Sequence, residues 1–208
     1  MNGKPARLLL ARHGQAVWHG ENRYVSISDI ELTETGREQS RALVRCAERE
    51  QPALIVCSPL VRAIETARPA AEACGLELKV DDRLREVDFG EWEGRTLGEI
   101  READPSAVER FEEDPVQHGF PGGEPLPEAA QRALEVLREL DRACAGQTVL
   151  VVAHNTLIRL GLCELVGIPL KDYRRRIPRL VNTAISEVRL NDTGGALYSL
   201  NDARHLGY

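Results

Sequence analysis

Three apolar runs in this 208-residue chain stop at side chains able to do chemistry. The first, Leu8-Leu9-Leu10-Ala11, ends in Arg12-His13-Gly14-Gln15. The second, Ala53 to Cys57, ends in Ser58-Pro59, with Arg62 close behind. The third, Thr148 to Ala153, ends in His154-Asn155-Thr156. A fourth group crowds the irregular stretch from Asp81 to Gly94: Arg83, Arg85, Glu86, Asp88, Glu91 and Glu93, with Phe89 and Trp92. If the three runs are parallel neighbours, Arg12, His13, Arg62 and His154 meet at the carboxyl edge of one sheet, where ligands of open α/β folds bind. Helices opening at Ser58-Pro59 and at Asn155 would aim their free N–H groups at the same place. Arginine brings a planar fork of donors for two phosphoryl oxygens; imidazole can serve as donor, nucleophile or acid. The set suits a tetrahedral, multiply charged anion, a phosphoryl group.

Taken singly, each residue has an ordinary reading. A histidine at a strand end can be a hydrogen-bonded structural residue, Arg62 a surface ion pair, His154 a substitute N-cap, and Glu86 a partner for Arg83 or Arg85. It is their joint placement that argues for a site. Two histidines with nearby carboxylates could instead hold a metal, but the arginines would repel it, and neither His-x-x-x-His nor Cys-x-x-Cys occurs, so no metal and no cofactor is expected. Gly-x-x-x-x-Gly-Lys, Gly-x-Gly-x-x-Gly and Gly-x-Ser-x-Gly are also missing, which counts against a P-loop, a dinucleotide site and the common serine hydrolase plan.

The elements that must carry these groups can be read from the pattern. Arg7 to Ala11, Ala53 to Cys57 and Thr148 to Ala153 read as strands buried on both faces, and Glu77 to Val80 as a further short one. Gln15 to Ile30 is a loop, long for a mere connection. A helix opens at Thr33, its N-cap, and puts Leu32, Gly36, Gln39, Leu43 and Ala47 on one face; Gly36 is expected to pack closely on the sheet. A second helix is expected with Ser58 as N-cap and Pro59 first, ending at Gly75. Thr96 to Phe111 reads as one or two short helices broken near Asp104-Pro105, Gln117 to Leu126 as a turn, and Glu128 to Ala145 as a long helix. Lys171 to Arg179 is basic, and its Arg174-Arg175-Arg176 reads more readily as a solvated helix face than as a collector of acidic substrates. Two strands joined through Asn191-Asp192-Thr193-Gly194-Gly195 close the chain as a hairpin. The expected fold is α/β: a three-layer sandwich with a mostly parallel sheet of about six strands, an antiparallel edge and helices on both faces. The expected organisation is one domain over 1–208, with a small helical lid inserted at roughly 96–126.

A net charge of −6 argues against nucleic acid as a partner, which calls for a basic face. An anionic substrate must then be drawn in by a local positive pocket. The cysteines number five, an odd count, and none lies close to another; Cys46, Cys57, Cys74, Cys144 and Cys163 read as small buried hydrophobes in a reducing compartment. No signal-peptide core opens the chain, and no apolar run approaches the ~18 residues of a membrane span. A cytoplasmic protein without membrane contact is expected.

The motifs together resemble the histidine phosphatase superfamily, also called the phosphoglycerate mutase-like family. They are Leu10-Ala11-Arg12-His13-Gly14-Gln15, Asp29 to Gly36, Ser58-Pro59-Leu60-Val61-Arg62-Ala63-Ile64-Glu65-Thr66-Ala67, Leu84 to Gly94, Pro121-Gly122-Gly123-Glu124 and Val152-Ala153-His154. They run in the family's order over nearly the whole chain. The resemblance implies that His13 is the nucleophile, forming a phosphohistidine. It also implies that Arg12, Arg62 and His154 hold the phosphoryl oxygens, and that Glu86 protonates the leaving alkoxide and later deprotonates water. For that task Glu86 must keep a proton near neutrality, which desolvation or a bound phosphate would promote; Phe89 and Trp92 could form the apolar wall. Gln15, His19, Arg23 and Asn155 are the candidate substrate-binding residues. Gln15-Ala16 stands where the family usually has an acidic residue and Thr, His19 where its mutases favour Asn, Ser26 where they favour Gly, and Asn155-Thr156 where Gly-Gly or Gly-Asn is usual. His19 is read equally well as an extra phosphate donor or as an exposed loop residue. The middle segment lacks the Arg-Arg pair with which the mutases hold a carboxylated substrate, and the chain is shorter than theirs. The implied activity is a metal-independent phosphomonoesterase acting on a small phosphorylated metabolite, a sugar phosphate or similar, as a monomer or homodimer. The alternatives are a mutase-type isomerase and a non-catalytic phosphate-binding module.

Overall fold

The computed structural model of the chain describes residues 4–207; positions 1–3 and 208 of the expected 1–208 domain lie outside the described residues. In order, the elements are β1 (Arg7–Arg12), α1 (Glu34–Glu50), β2 (Leu54–Cys57), α2 (Val61–Ala73), β3 (Leu78–Val80), α3 (Leu97–Ala103), α4 (Pro105–Glu113), α5 (Leu126–Ala143), β4 (Thr148–Ala153), α6 (Asn155–Val166), α7 (Tyr173–Arg176), β5 (Ile185–Asn191) and β6 (Gly194–Asp202). The six strands lie in the order β3-β2-β4-β1-β5-β6. The first four are mutually parallel, and β5 and β6 form the antiparallel edge.

The apolar runs are continuous because both faces of these strands are covered. Leu8, Leu10, Val149, Val151 and Ala153 point into the larger core with α5 and α6. Leu9, Ala11, Ile55, Cys57, Leu150 and Val152 point the other way, into a core closed by α1 and α2. Ala63, Ala67 and Ala70 make the contact face of α2, and such small side chains let that helix lie close to the sheet. The result is the three-layer α/β sandwich the sequence indicates.

Local signals fix most helix ends. Thr33 caps α1, its side chain accepting from Gly36 N–H. Thr96 and Glu99 form a reciprocal capping box on α3, and Asp104 caps α4 with Pro105 in its first position. Gly75, at φ +67°, ends α2. Other expectations need correction. α2 begins at Val61, not directly behind Ser58, because the Ser58 hydroxyl is taken by His154 and the Val61 N–H is capped by Asp29 Oδ1 at 2.6 Å. α5 begins at Leu126, behind Pro125, so the turn is shorter than expected. Gly36 packs on the carbonyl of Gln15 in the loop after β1, not on the sheet. Cys74 is half-exposed, while the other four cysteines are buried.

The segment 96–126 packs its apolar side chains, Ile100, Val108, Phe111 and Phe120, into the larger core. Among the described residues, no helix is long and apolar enough to cross a membrane.

Candidate active site

The register Arg12↔Ala153 between β1 and β4 sets the next residues, His13 and His154, beside each other at the carboxyl edge. Their ring centroids are 5.0 Å apart. His13 is only 3% exposed, and its backbone is held on both sides: its N–H donates to Ala153 O at 2.9 Å and its carbonyl accepts from Asn182 Nδ2 at 2.8 Å. The His13 Nδ1 lies 2.7 Å from Gly14 O. A carbonyl only accepts, so Nδ1 carries the proton and Nε2 keeps its lone pair. Burial, with the positive potential of His154, Arg62, His19 and Arg12, holds the His13 pKa well below the ordinary imidazole value. The ring is therefore neutral at neutral pH, with a free nucleophilic nitrogen.

Arg12 ends β1 with Nη1 on Leu180 O at 2.8 Å and Nη2 toward His19 Nε2 at 3.2 Å. Loss of water around its guanidinium, together with nearby Arg179, Arg159 and Arg62, brings its pKa down to about 10 against the opposing pull of Glu86. Arg62, in the first turn of α2, is fully buried. Its Nη groups donate to Ser28 O at 2.9 Å and Ser26 O at 2.8 Å, which folds the long loop over the helix. Glu93 secures that loop from the opposite side, accepting from the Ser26 and Ser28 N–H groups and the Ser26 hydroxyl. His154 is fully buried, with Nε2 2.7 Å from Ser58 Oγ. Ser58 Oγ also accepts from Leu60 N–H; with the Ser58 hydroxyl donating to Nε2, neutral His154 bears its hydrogen on Nδ1.

Arg12 Nε, Arg62 Nε and His154 Nδ1 are the buried side-chain polar atoms with no hydrogen-bond partner among the described residues. All three belong to the residues gathered around His13. An unmet buried donor is costly, about 1–3 kcal/mol, and three in one place fit a site built to receive acceptors.

Glu86, 5% exposed, follows the β3 end and turns toward α6. Its Oε2 accepts from Thr156 N–H at 3.0 Å, and its Oε1 from Leu157 N–H at 2.9 Å and Val87 N–H at 3.0 Å. This corrects the expectation that two free helix N-termini face the site: α6 is capped by Glu86, and α2 by Asp29. Glu86 forms no ion pair with Arg83, which binds Asp81 and Glu139 instead. Its backbone is fixed by Arg132 of α5, whose guanidinium donates to the carbonyls of Arg83, Arg85 and Glu86 and pairs in two parallel contacts of 2.7 Å with Glu124. Phe89 lines the cavity near Glu86. Trp92 does not reach it and stands behind, 5.7 Å from Tyr24 between ring centroids.

A cavity of about 610 Å³ opens over these groups, walled by Arg12, His13, Glu86, Phe89 and residues of the 15–25, 155–159 and 174–182 stretches. No residue of 96–126 lines it. Gln15 lines it, with N–H on Gln39 Oε1 and side-chain oxygen accepting from Thr33 Oγ1. His19 lies over His13 at 5.2 Å between centroids and is not a free loop residue. Its Nδ1 faces Ala16 N–H at 3.2 Å and its Nε2 faces Arg12. A neutral imidazole can accept at only one nitrogen, so one of those contacts is frustrated. Burial and the two arginines push the His19 pKa down to about 3. Arg23 lines the cavity, yet its guanidinium is occupied by Glu21, Glu99 and Gly94 O. Asn155 also lines it, and its Oδ1 accepts from Leu180 N–H at 3.3 Å.

Among the wall residues that no motif in the sequence flagged are Asn182, Arg159 and Arg179. Arg159 is buried in the helix that follows His154. One helical turn separates it from Asn155, a spacing that could have flagged it. Arg174 is half-buried and lines the cavity, unlike its exposed neighbours Arg175 and Arg176, which corrects the reading of all three as a solvated face.

The sequence profile of the histidine phosphatase superfamily, branch 1, matches residues 8–203. The chain belongs to that superfamily. Phosphoserine phosphatase 1 of Hydrogenobacter thermophilus is 33% identical over 97% of this chain and 94% of its own length. Glucosyl-3-phosphoglycerate phosphatase of Mycolicibacterium vanbaalenii is 34% identical over 80% of this chain and 77% of its own. The solved mycobacterial glucosyl-3-phosphoglycerate phosphatase in complex with VO3 superposes with a TM-score of 0.86 at 31% identity, covering 95% of this chain and 99% of that one. This histidine phosphatase is an enzyme for small phosphate esters.

Proposed function

We propose that His13 Nε2 attacks the phosphorus of a small phosphate monoester and that the ester oxygen departs from the opposite side. The P–O bond breaks as the N–P bond forms. Glu86, protonated when substrate is bound, gives its proton to the leaving alkoxide. Its Oε2 accepts from Thr156 N–H alone, which leaves a second lone pair on that oxygen to carry the proton. The resulting carboxylate takes a proton from water, whose oxygen attacks the phosphohistidine and returns His13 with inorganic phosphate. Arg12, Arg62 and His154 donate to the phosphoryl oxygens through the atoms that now have no partner, and such preset donors act most strongly where charge builds up. The phosphoryl group also relieves the Arg12–His19 contact by accepting from both. Gln15, Arg23 and Asn155 shape the remainder of the cavity. The segment near 96–126 acts from behind it, and the whole works as one domain.

The observation that carries this reading is the trio of unpartnered buried atoms, Arg12 Nε, Arg62 Nε and His154 Nδ1, around a neutral His13. The test is a single turnover quenched in alkaline detergent, with an ester radiolabelled in its phosphoryl group. Label should appear on the protein, be acid-labile and base-stable, and vanish in His13→Ala. Unlabelled protein during active turnover would refute it. Release of phosphate with no isomerised ester, when a bisphosphate primer is supplied, separates it from a mutase. Every group named comes from one chain, and we propose a monomer or homodimer in the cytoplasm, checked by sedimentation and by fractionation.

A further inference from the structure

The cavity holds more positive charge than one phosphoryl group needs. Beyond Arg12, its wall carries Arg159, Arg174 and Arg179. Arg159 is 3% exposed. Its Nε donates to Ile177 O at 2.5 Å, its Nη2 faces Tyr173 O at 3.4 Å, and its guanidinium lies 4.6 Å from the centroid of the Tyr173 ring. These contacts fix the group and leave Nη1 without a protein partner among the described residues. Arg174 stands 5.2 Å from the Phe111 centroid and reaches Tyr24 Oη at 3.5 Å. Arg179 is exposed at the rim.

None of the three pairs with a carboxylate among the described residues. The contrast lies alongside them: Arg23, in the same wall, is neutralised by Glu21 and Glu99, and Arg175, next to Arg174, pairs with Asp172. Glu86, the one acid of the wall among the described residues, spends both oxygens on backbone N–H groups. Such a cluster repels itself, and Arg159 and Arg179 already disfavour the charge on Arg12. On a chain of net charge −6 it is a focused positive field inside an acidic molecule. Arg12, Arg62 and His154 are assigned to the phosphoryl group, and Arg159, Arg174 and Arg179 have no part in that assignment.

We propose that Arg159, Arg174 and Arg179 bind a second anionic group, a carboxylate or a second phosphate, on the same ester whose phosphoryl group meets His13. This rests on the phosphatase reading and narrows its substrate class to esters with two anionic ends. The residues differ from the Arg-Arg pair expected of mutases in the middle segment, so absence of that pair does not exclude an acidic substrate here.

The test compares kcat/KM within matched pairs. 3-Phosphoglycerate against glycerol 3-phosphate changes a carboxylate for a neutral group; fructose 1,6-bisphosphate against fructose 6-phosphate does the same for a phosphate. One charge-assisted contact made or lost predicts a preference of about ten- to a hundredfold for the doubly anionic member. Preference in the first pair assigns a carboxylate, and in the second pair alone a phosphate; either supports the proposal. In Arg174→Gln, and in Arg159→Gln if it folds, the ratio should fall toward one. Equal kcat/KM within both pairs, or a ratio unchanged in Arg174→Gln, overturns the subsite while leaving the phosphatase reading intact. No phosphate release from any of the four esters, with no label on His13, would instead defeat that underlying reading.

Discussion

Gly36, in the first turn of α1, touches the carbonyl of Gln15 so closely that a Cβ at position 36 would stand 2.1 Å from that oxygen. Gly14 makes the converse contact, where a Cβ would meet Gly36 O at 2.7 Å. Two glycines thus let the chain behind His13 lie directly on a helix. Alanine in a helix interior is ordinarily better than glycine by about 1 kcal/mol. At position 36 the sign should reverse, with overpacking costing about 1–3 kcal/mol and the Gln15 loop displaced so that KM rises. Gly98→Ala in α3, where a Cβ would meet the Thr96 hydroxyl at an ordinary 3.7 Å, should be neutral or stabilising. Urea denaturation of both variants checks the pair.

Glu86→Gln tests the proton donor. Both Glu86 oxygens accept from backbone N–H groups, and an amide offers only one oxygen. The NH2 must confront at least one N–H, a loss of about 1–3 kcal/mol in stability. Turnover of alkyl phosphates should fall by about 10²–10⁴. Nitrophenyl phosphate, whose leaving group needs no proton, should lose far less. An equal loss on both would remove Glu86 from the acid role.

Arg132 never reaches the cavity but determines where Glu86 stands. Arg132→Met leaves Glu124 without its partner and three carbonyls without a donor. Removing one member of a fully buried pair costs about 3–5 kcal/mol, and this half-buried pair should cost less. The folded fraction should show a lower kcat on alkyl phosphates, with a smaller change on nitrophenyl phosphate, the same signature as Glu86→Gln in a milder form.

Acid should unfold the protein early. His13 and His154 are held well below the ordinary imidazole range by burial first and then by positive neighbours, and His19 sits at about 3. Unfolded, all three take up protons below about pH 6.5. The unfolded chain then binds more protons than the folded one, so stability is complete above that pH and is lost as pH falls toward the folded values. Each group contributes a slope of up to about 1.4 kcal/mol per pH unit. Urea midpoints should be nearly flat above about pH 7 and drop steeply toward about pH 5. His19→Gln should show a slope smaller by up to about 1.4 kcal/mol per unit. An unaltered slope would mean that His19 is charged in the fold.

What was legible in the sequence had local causes. Three apolar runs buried on two faces ended at Arg12-His13, Ser58 and His154, and the sheet order brings all three ends together. Thr33, Asp104 and Gly75 mark helix ends through contacts within a few residues. What was misread depends on partners distant in sequence. Ser58 looks like an N-cap until His154, 96 residues on, takes its hydroxyl. The N-termini of α2 and α6 look free until Asp29 and Glu86 arrive from elsewhere. Arg174 belongs to a basic triplet, and only the tertiary contact with Phe111 and Tyr24 separates it from its solvated neighbours.

Tyr24 and Phe89 form part of the cavity wall, and behind them stand Phe120, Trp92 and Phe111, ring against ring at centroid distances of 4.6 to 5.7 Å. The two outer rings, Phe111 and Phe120, come from the segment that lines no part of the cavity. A change of size at either would be transmitted through the stack to the wall. Substrate range in this enzyme can thus be retuned by substitutions that never meet the substrate, and a library for altered specificity should begin at positions 111 and 120, leaving the phosphate-handling residues untouched.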